Sequence, residues 1–450
     1  VTTLIGFGIV LLAATSFVVQ IWAVRRSGLT ARSPLVFVGL VLVMLASLLY
    51  EAGMLIRGQA GQLSIIALML MIVLIAASKS IRSRMTHQIS LAAFLPAFIA
   101  AALFSVNALM NAEIALQQIL GRSLGILSLA LLGFVFCLSK LQLRDVAAAM
   151  VLAISLMFAM SPLKGLSWRP CDKFKCGPFD ALYTGPFQSE NTVALLCGIG
   201  VLCAFLTYRD RKSVIVILTF ALTLYATESR TSQLALAVGV AVWPLAAIAT
   251  SWCRKATTSR ALTERSRLLI VWASLGTVAL FIVGFWLVVE AEPSDFSNRG
   301  NVWILGLSAL GEDWVSGLGV DRWYTYQSVG AVPSHFPHSE YLFLLFTGGV
   351  GAVLGLFWIY TKSLSNSFFH HRATPFAVSY IVFLGVTGMT ELFWNPIAAD
   401  GNALVMLPLI FLLSITKTKG SIATQGTTPA LQDQRRSHTH THLTPRHNRS

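Results

Sequence analysis

Charge is what this chain lacks. Asp, Glu, Lys and Arg make up 12% of its 450 residues, while 55% are hydrophobic. Ordinary globular proteins carry about 25% charged residues, so a water-facing surface cannot be built from this composition. The apolar residues instead fall into blocks near 3–24, 34–50, 62–78, 89–105, 122–139, 146–161, 189–207, 213–227, 231–250, 268–289, 339–360, 374–392 and 402–416. Blocks of this length suit a hydrocarbon core of about 30 Å. The fold expected is all-α: a polytopic integral membrane bundle of about 12–13 transmembrane helices, with a large outward loop that contains a short interfacial helix.

Acidic residues are scarcer still, 19 Asp and Glu against 33 Lys and Arg, for a net charge of +14. That excess could suggest a nucleic-acid partner, but its placement says otherwise. One alternating set of connections (25–33, 79–88, 140–145, 209–212, 251–267, 362–373 and the tail from 417) holds 24 of the 33 basic residues and only 4 of the 19 acidic ones. Positive charge marks the cytoplasmic side. The excess is a topology signal, and no nucleic acid is needed to explain it. Val1 to Val24 has no basic segment ahead of its apolar core and is followed at once by further spans, so it is expected to be an uncleaved helix.

Cysteine is sparse as well. Of six, only Cys171 and Cys176 fall in an outward loop, where an oxidising exterior allows them to pair. A zinc site would need two more ligands, and no matching pair accompanies them. The other four sit in or beside apolar helices and read as packing residues.

What remains on the outward side stands out by its rarity. Nine basic residues are there, among them Arg230, Arg299 and Arg322, and two of nine histidines, His335 and His338. Arg230 lies in Glu228-Ser229-Arg230-Thr231, between two apolar runs. It could be ion-paired to Glu228, or its planar guanidinium could hold an anion such as phosphate. Ser297 or Asn298 can cap a helix starting at Arg299, whose backbone N–H groups also favour an anion. Trp303, Leu307 and Leu310 share a face of that helix, which suits the membrane interface. Trp314, Trp323, Tyr324 and Tyr326 could stack on sugar rings or form an ordinary aromatic belt. Gly348, Gly349, Gly351 and Gly355 read as close helix packing.

Three features recur together on that side: Ser229-Arg230-Thr231 at a helix boundary, Arg299 with Trp303, and Pro337-His338-Ser339 leading into Tyr341-Leu342, with GLGVDRWY between the last two. This arrangement resembles the O-antigen ligase and Wzy-type polymerase superfamily of bacterial envelope glycosyltransferases, most strongly over about 185–360. The resemblance implies a glycan donor on undecaprenyl diphosphate and a lipid or glycan acceptor, with transfer at the outer face of the inner membrane. Its essential arginines map onto Arg230 and Arg299 and its essential histidine onto His338. Separately from the resemblance, Trp303, Trp323, Tyr324 and Tyr326 are the candidate sugar contacts. The chain departs from the ligases in showing thirteen apolar blocks where they have twelve spans.

The chemistry of the residues points the same way. Displacing a sugar from a diphosphate requires stabilising the leaving charge and deprotonating the acceptor hydroxyl. The outward face offers one adjacent acidic pair, Glu312-Asp313, and no Asp-x-Asp. Two arginines can stabilise the charge without a metal or cofactor, and a histidine can serve as base. The competing reading is a transporter or flippase of envelope precursors, which should carry ionisable residues near mid-membrane and internal repeats. The organisation expected is a transmembrane scaffold (1–161), an outward loop (162–188), a core (189–416) including the outward loop 290–338, and a disordered cytoplasmic tail (417–450).

Overall fold

Inside lipid no water is available to the backbone, so each apolar run must satisfy its own hydrogen bonds, and a helix does this. A computed structural model describes residues 2–27, 34–55, 59–82, 141–165, 168–171, 175–208, 212–254, 259–332, 336–368, 373–394 and 401–414, with a few positions between 132 and 139. The expected spans at 89–105 and 122–139 therefore lie almost wholly outside the described residues, and the tail from 417 lies wholly outside them.

The chain begins with α1 (Thr2–Ser27), α2 (Pro34–Glu51) and α3 (Gln59–Arg82), then α4 (Leu143–Ala159). A short hairpin, β1 (Trp168–Pro170) and β2 (Ala181–Tyr183), precedes α5 (Glu190–Thr207), α6 (Lys212–Thr227), α7 (Arg230–Arg254) and α8 (Ser259–Val289). Next come α9 (Asp295–Leu310), α10 (Val320–Ser328), α11 (Glu340–Ser367), α12 (Ala373–Thr390) and α13 (Leu407–Ser414). Seven of the described helices are long and apolar enough to cross a membrane. This is a polytopic helical membrane protein.

Three details depart from the sequence reading. The loop 162–188 is not wholly irregular, because β1 and β2 pair antiparallel with Trp168 opposite Tyr183. The basic connection 251–267 is largely helical, since α8 already begins at Ser259. The last block, 402–416, is a 3-10 turn (Gly401–Met406) followed by the eight-residue α13. At 1.5 Å per residue such a helix extends about 12 Å, too short to span alone.

Burial separates the centre of the bundle from its rim. The apolar window of α12 is 83% buried and that of α5 78%, whereas α8 is only 6% buried. α12 packs against α7, α8 and α11, so its C-terminal end emerges among theirs. The approach to α7 is close, with a Cβ on Gly239 placed 3.1 Å from the Ser379 carbonyl. Ties between side chain and backbone hold α11 to α12: Tyr341 Oη donates to the Gly385 carbonyl at 2.7 Å and Ser339 Oγ to that of Gly388 at 3.5 Å.

α11 would extend about 42 Å if straight, but it is broken at Gly349 (φ 64°, ψ −164°). A loop fits against the break. Val350 N donates to the Trp314 carbonyl, Leu318 N to that of Phe346 and Gly319 N to that of Thr347. Gly348 and Gly349 thus do allow a close approach, but of a loop rather than a helix. A Cβ on Gly351 or Gly355 would meet nothing within 4 Å among the described residues.

Candidate active site

The C-terminal end of α12 presents a backbone carbonyl at Thr390 and a carboxylate at Glu391, and Arg299 takes both. Arg299 Nη1 donates to the Thr390 carbonyl, and Nη2 lies 2.6 Å from Glu391 Oε1. A cation is favoured at a helix C-terminus, where terminal carbonyls lack partners. Arg299 is aimed there by an unusual turn. Phe296, Ser297 and Asn298 have φ of 49°, 63° and 68°, a left-handed conformation that costs L-residues about 1–2 kcal/mol each. Regular helix starts only after it, so α9 effectively opens at Arg299. Gly300 follows at a spot where a Cβ would sit 1.8 Å from the Glu292 carbonyl.

His338 reaches the same carboxylate from the other side. Its Nδ1 is 3.6 Å from Glu391 Oε2, so one buried carboxylate bridges an arginine and a histidine. The side chains are 18% (Arg299), 10% (Glu391) and 31% (His338) exposed. Burial pushes the Glu391 carboxyl up, but the Arg299 guanidinium and the His338 ring outweigh it and hold the group below the usual carboxylate range.

The backbone at His338 is fixed on both sides. His338 itself has φ 48°, an uncommon conformation for a residue with a side chain. Ahead of it, the Pro337 carbonyl accepts a 2.6 Å bond from Trp303 Nε1. Behind it, Ser339 caps α11 by accepting from Leu342 N. Glu340 is the first residue of α11. Its buried carboxylate accepts from the backbone N–H groups of Phe393 and Trp394 at 3.1 and 3.0 Å, which pins the turn just beyond Glu391.

Arg230 opens α7 and is differently placed. Its side chain is 79% exposed, and its Nε is 3.6 Å from Glu228 Oε1. The two readings of this residue are therefore compatible: it is loosely paired, and it also projects into solvent. The neighbouring Thr231 accepts a 2.8 Å hydrogen bond from Thr390 Oγ1, which ties the start of α7 to the same end of α12.

The aromatic candidates divide. Trp303 and Trp323 are fully buried. Trp303 packs on Phe296 at 5.1 Å between ring centroids, and Trp323 on Phe346 at 5.0 Å. Neither ring has a face open to a sugar in this structure, which corrects the expectation for both. Burial of Trp303 and Leu310 likewise turns that face of α9 toward the protein rather than the membrane interface. Tyr326 is half-buried, with the Arg322 guanidinium 6.0 Å from its ring centre. The Tyr324 side chain and His335 lie outside the described residues. Cys171 and Cys176 are joined in a disulfide beyond β1. Beside it, Lys175 Nζ lies 3.2 Å from both Glu190 Oε1 and Asn191 Oδ1 at the start of α5.

Arg230, Arg299 and His338 all fall within residues 214–359, and that stretch matches a family model described as O-antigen ligase. Residues 214–359 are thus similar to an O-antigen ligase domain. The comparison with curated proteins found no match.

The family supports an enzyme of the glycosyltransferase type, acting in a membrane on lipid-linked glycans. The matched stretch ends before Glu391, so the acidic partner of Arg299 and His338 comes from outside it. Sequence reading places Glu391 within the apolar block 374–392 and gives it no role. A signal was present: an ionisable residue in such a block is rare and needs a partner.

Proposed function

We propose that this end of the bundle transfers a glycan from undecaprenyl diphosphate to a hydroxyl of a lipid or glycan acceptor, at the outer face of the inner membrane. The observation that carries the reading is the buried carboxylate of Glu391 held between Arg299 and His338. With the Nδ1 proton directed at Glu391, Nε2 is the basic nitrogen of His338. It takes the proton of the acceptor hydroxyl as that oxygen bonds to the anomeric carbon. The bond from that carbon to the phosphate oxygen breaks, and the lipid diphosphate leaves with the negative charge. Arg230, exposed and loosely paired, meets that charge directly. Arg299 spends two of its donors on Thr390 and Glu391, so its larger part is to fix the carboxylate.

Several roles follow for the neighbours. Glu391 orients the imidazole and stabilises the imidazolium that forms, as a buried acid does in other histidine-based sites. Preorganised positive charge replaces the metal that many glycosyltransferases use. Transfer by the purified protein should survive EDTA; activity lost and then restored by Mg²⁺ or Mn²⁺ would send the search back to Glu312-Asp313. In the same assay His338→Ala should abolish transfer while donor binding persists. Near-normal transfer by that variant would rule out the base.

A further inference from the structure

A second feature lies a few residues before Arg299 and has no part in the chemistry above. An open groove of about 380 Å³ is lined by Trp286, Leu287, Glu290, Ala291, Asp295 and Phe296. It sits where α8 ends and the left-handed turn begins. Two of its walls are aromatic and well exposed, Trp286 at 59% and Phe296 at 43%. Two others are carboxylates. The volume is at the lower end of the range for ligand sites.

We infer that this groove binds the sugar of the acceptor. The inference rests on the glycan-transfer reading and names a subsite for one of its two substrates. Aromatic faces beside carboxylates suit a pyranose, whose C–H faces stack on rings and whose hydroxyls donate to carboxylate oxygens. The same carboxylates repel phosphate. The diphosphate of the donor and the anionic headgroups of lipid are therefore disfavoured here and favoured on the Arg230 side. A neutral or amino-bearing sugar fits; an acidic one does not.

The groove is also joined to the base. The Phe296 ring packs on Trp303, and the Trp303 indole donates to the carbonyl of Pro337, the residue before His338. From Phe296, the left-handed turn leads directly to Arg299. A sugar seated on Phe296 thus sits on the structure that positions both His338 and Arg299, which is where an acceptor hydroxyl has to be delivered.

The test uses the full chain in lipid nanodiscs, with methyl glucoside and methyl galactoside as neutral probes and glucuronic acid as the anionic one. Saturation-transfer NMR should show the neutral glycosides bound and glucuronic acid much weaker. Trp286→Ala and Glu290→Ala should each lower the binding roughly fivefold to tenfold, the loss of one stacking or charge-assisted contact, with an unchanged thermal midpoint. In transfer assays both variants should raise the acceptor KM while kcat and donor KM hold. Equal glycoside binding by wild type and variants would overturn the assignment. So would equal binding of glucuronic acid, a shift in donor KM instead, or no signal from wild type, the result expected of a groove filled by lipid. If wild type binds glycosides as described yet transfers nothing, the glycan-transfer reading fails and the sugar site stands.

Discussion

Arg299 and Arg230 are one residue type in opposite settings. Arg299 is mostly buried, and its planar fork spans a carbonyl and a carboxylate, a geometry that an ammonium cannot reproduce. Arg230 is largely solvated and acts near a point charge. Replacement by lysine should therefore separate them. Arg299→Lys should lose at least about tenfold in transfer, the cost of one charge-assisted contact, whereas Arg230→Lys should keep most activity and Arg230→Ala should not. Equal loss from both lysine variants, measured as kcat/KM, would contradict this account. The buried acid makes a second prediction. Because Glu391 is held below the usual carboxylate range, its contribution to stability is fully present above the unfolded value of about 4.3. It is lost only as pH falls through the lower folded value. Glu391→Gln should thus lower the thermal midpoint at neutral pH, and the difference should close only in strong acid. A gap between the two proteins that closed above that unfolded value would contradict this reading.

At the scale of elements, the break in α11 turns a set of glycines into a measurable contrast. Gly349 has a positive φ, and a Cβ there would stand 2.0 Å from the Val315 carbonyl. Gly351 and Gly355, two and six positions on, face open space. Gly349→Ala should displace the loop before α10 and destabilise the protein by more than the about 1–2 kcal/mol of left-handed strain alone. Gly351→Ala and Gly355→Ala should be neutral or slightly stabilising, because alanine is the better helix former. Thermal unfolding in detergent distinguishes these outcomes, and a neutral Gly349→Ala would mean that the loop does not dock on the break. The same element carries the Ser339 cap and the Glu340 clamp at its other end. α11 thus holds His338 with its first turn and the loop 314–319 with its third.

At the scale of the whole molecule, two distributions have to agree: basic residues in alternate connections and the site residues in the others. Arg299, His338 and Glu391 meet at one end of the bundle, to which Thr231 ties the start of α7 beside Arg230, and none of the four belongs to the basic set 25–33, 79–88, 140–145, 209–212, 251–267 and 362–373. We propose that this end faces outward. A single cysteine introduced at residue 260, near the start of α8, should be labelled by an impermeant reagent only after cells are opened. Labelling in intact cells would invert the orientation and place the site on the wrong side for an outer-face transferase.

Composition and block length alone determined that the chain is a multi-pass helical bundle, because lipid leaves a spanning backbone few other options. Short motifs also marked Arg230, Arg299 and His338, since a rare charge at a helix boundary is visible without coordinates. What these residues touch was decided by tertiary structure. Glu391 is 53 residues beyond His338 and 92 beyond Arg299, and only the packing of α12 against α7, α8 and α11 brings its end to them. Trp303 and Trp323 read as surface aromatics in the sequence, yet both are buried. An indole is apolar over most of its area and polar at one atom, so its neighbours alone determine whether it faces a ligand or a core.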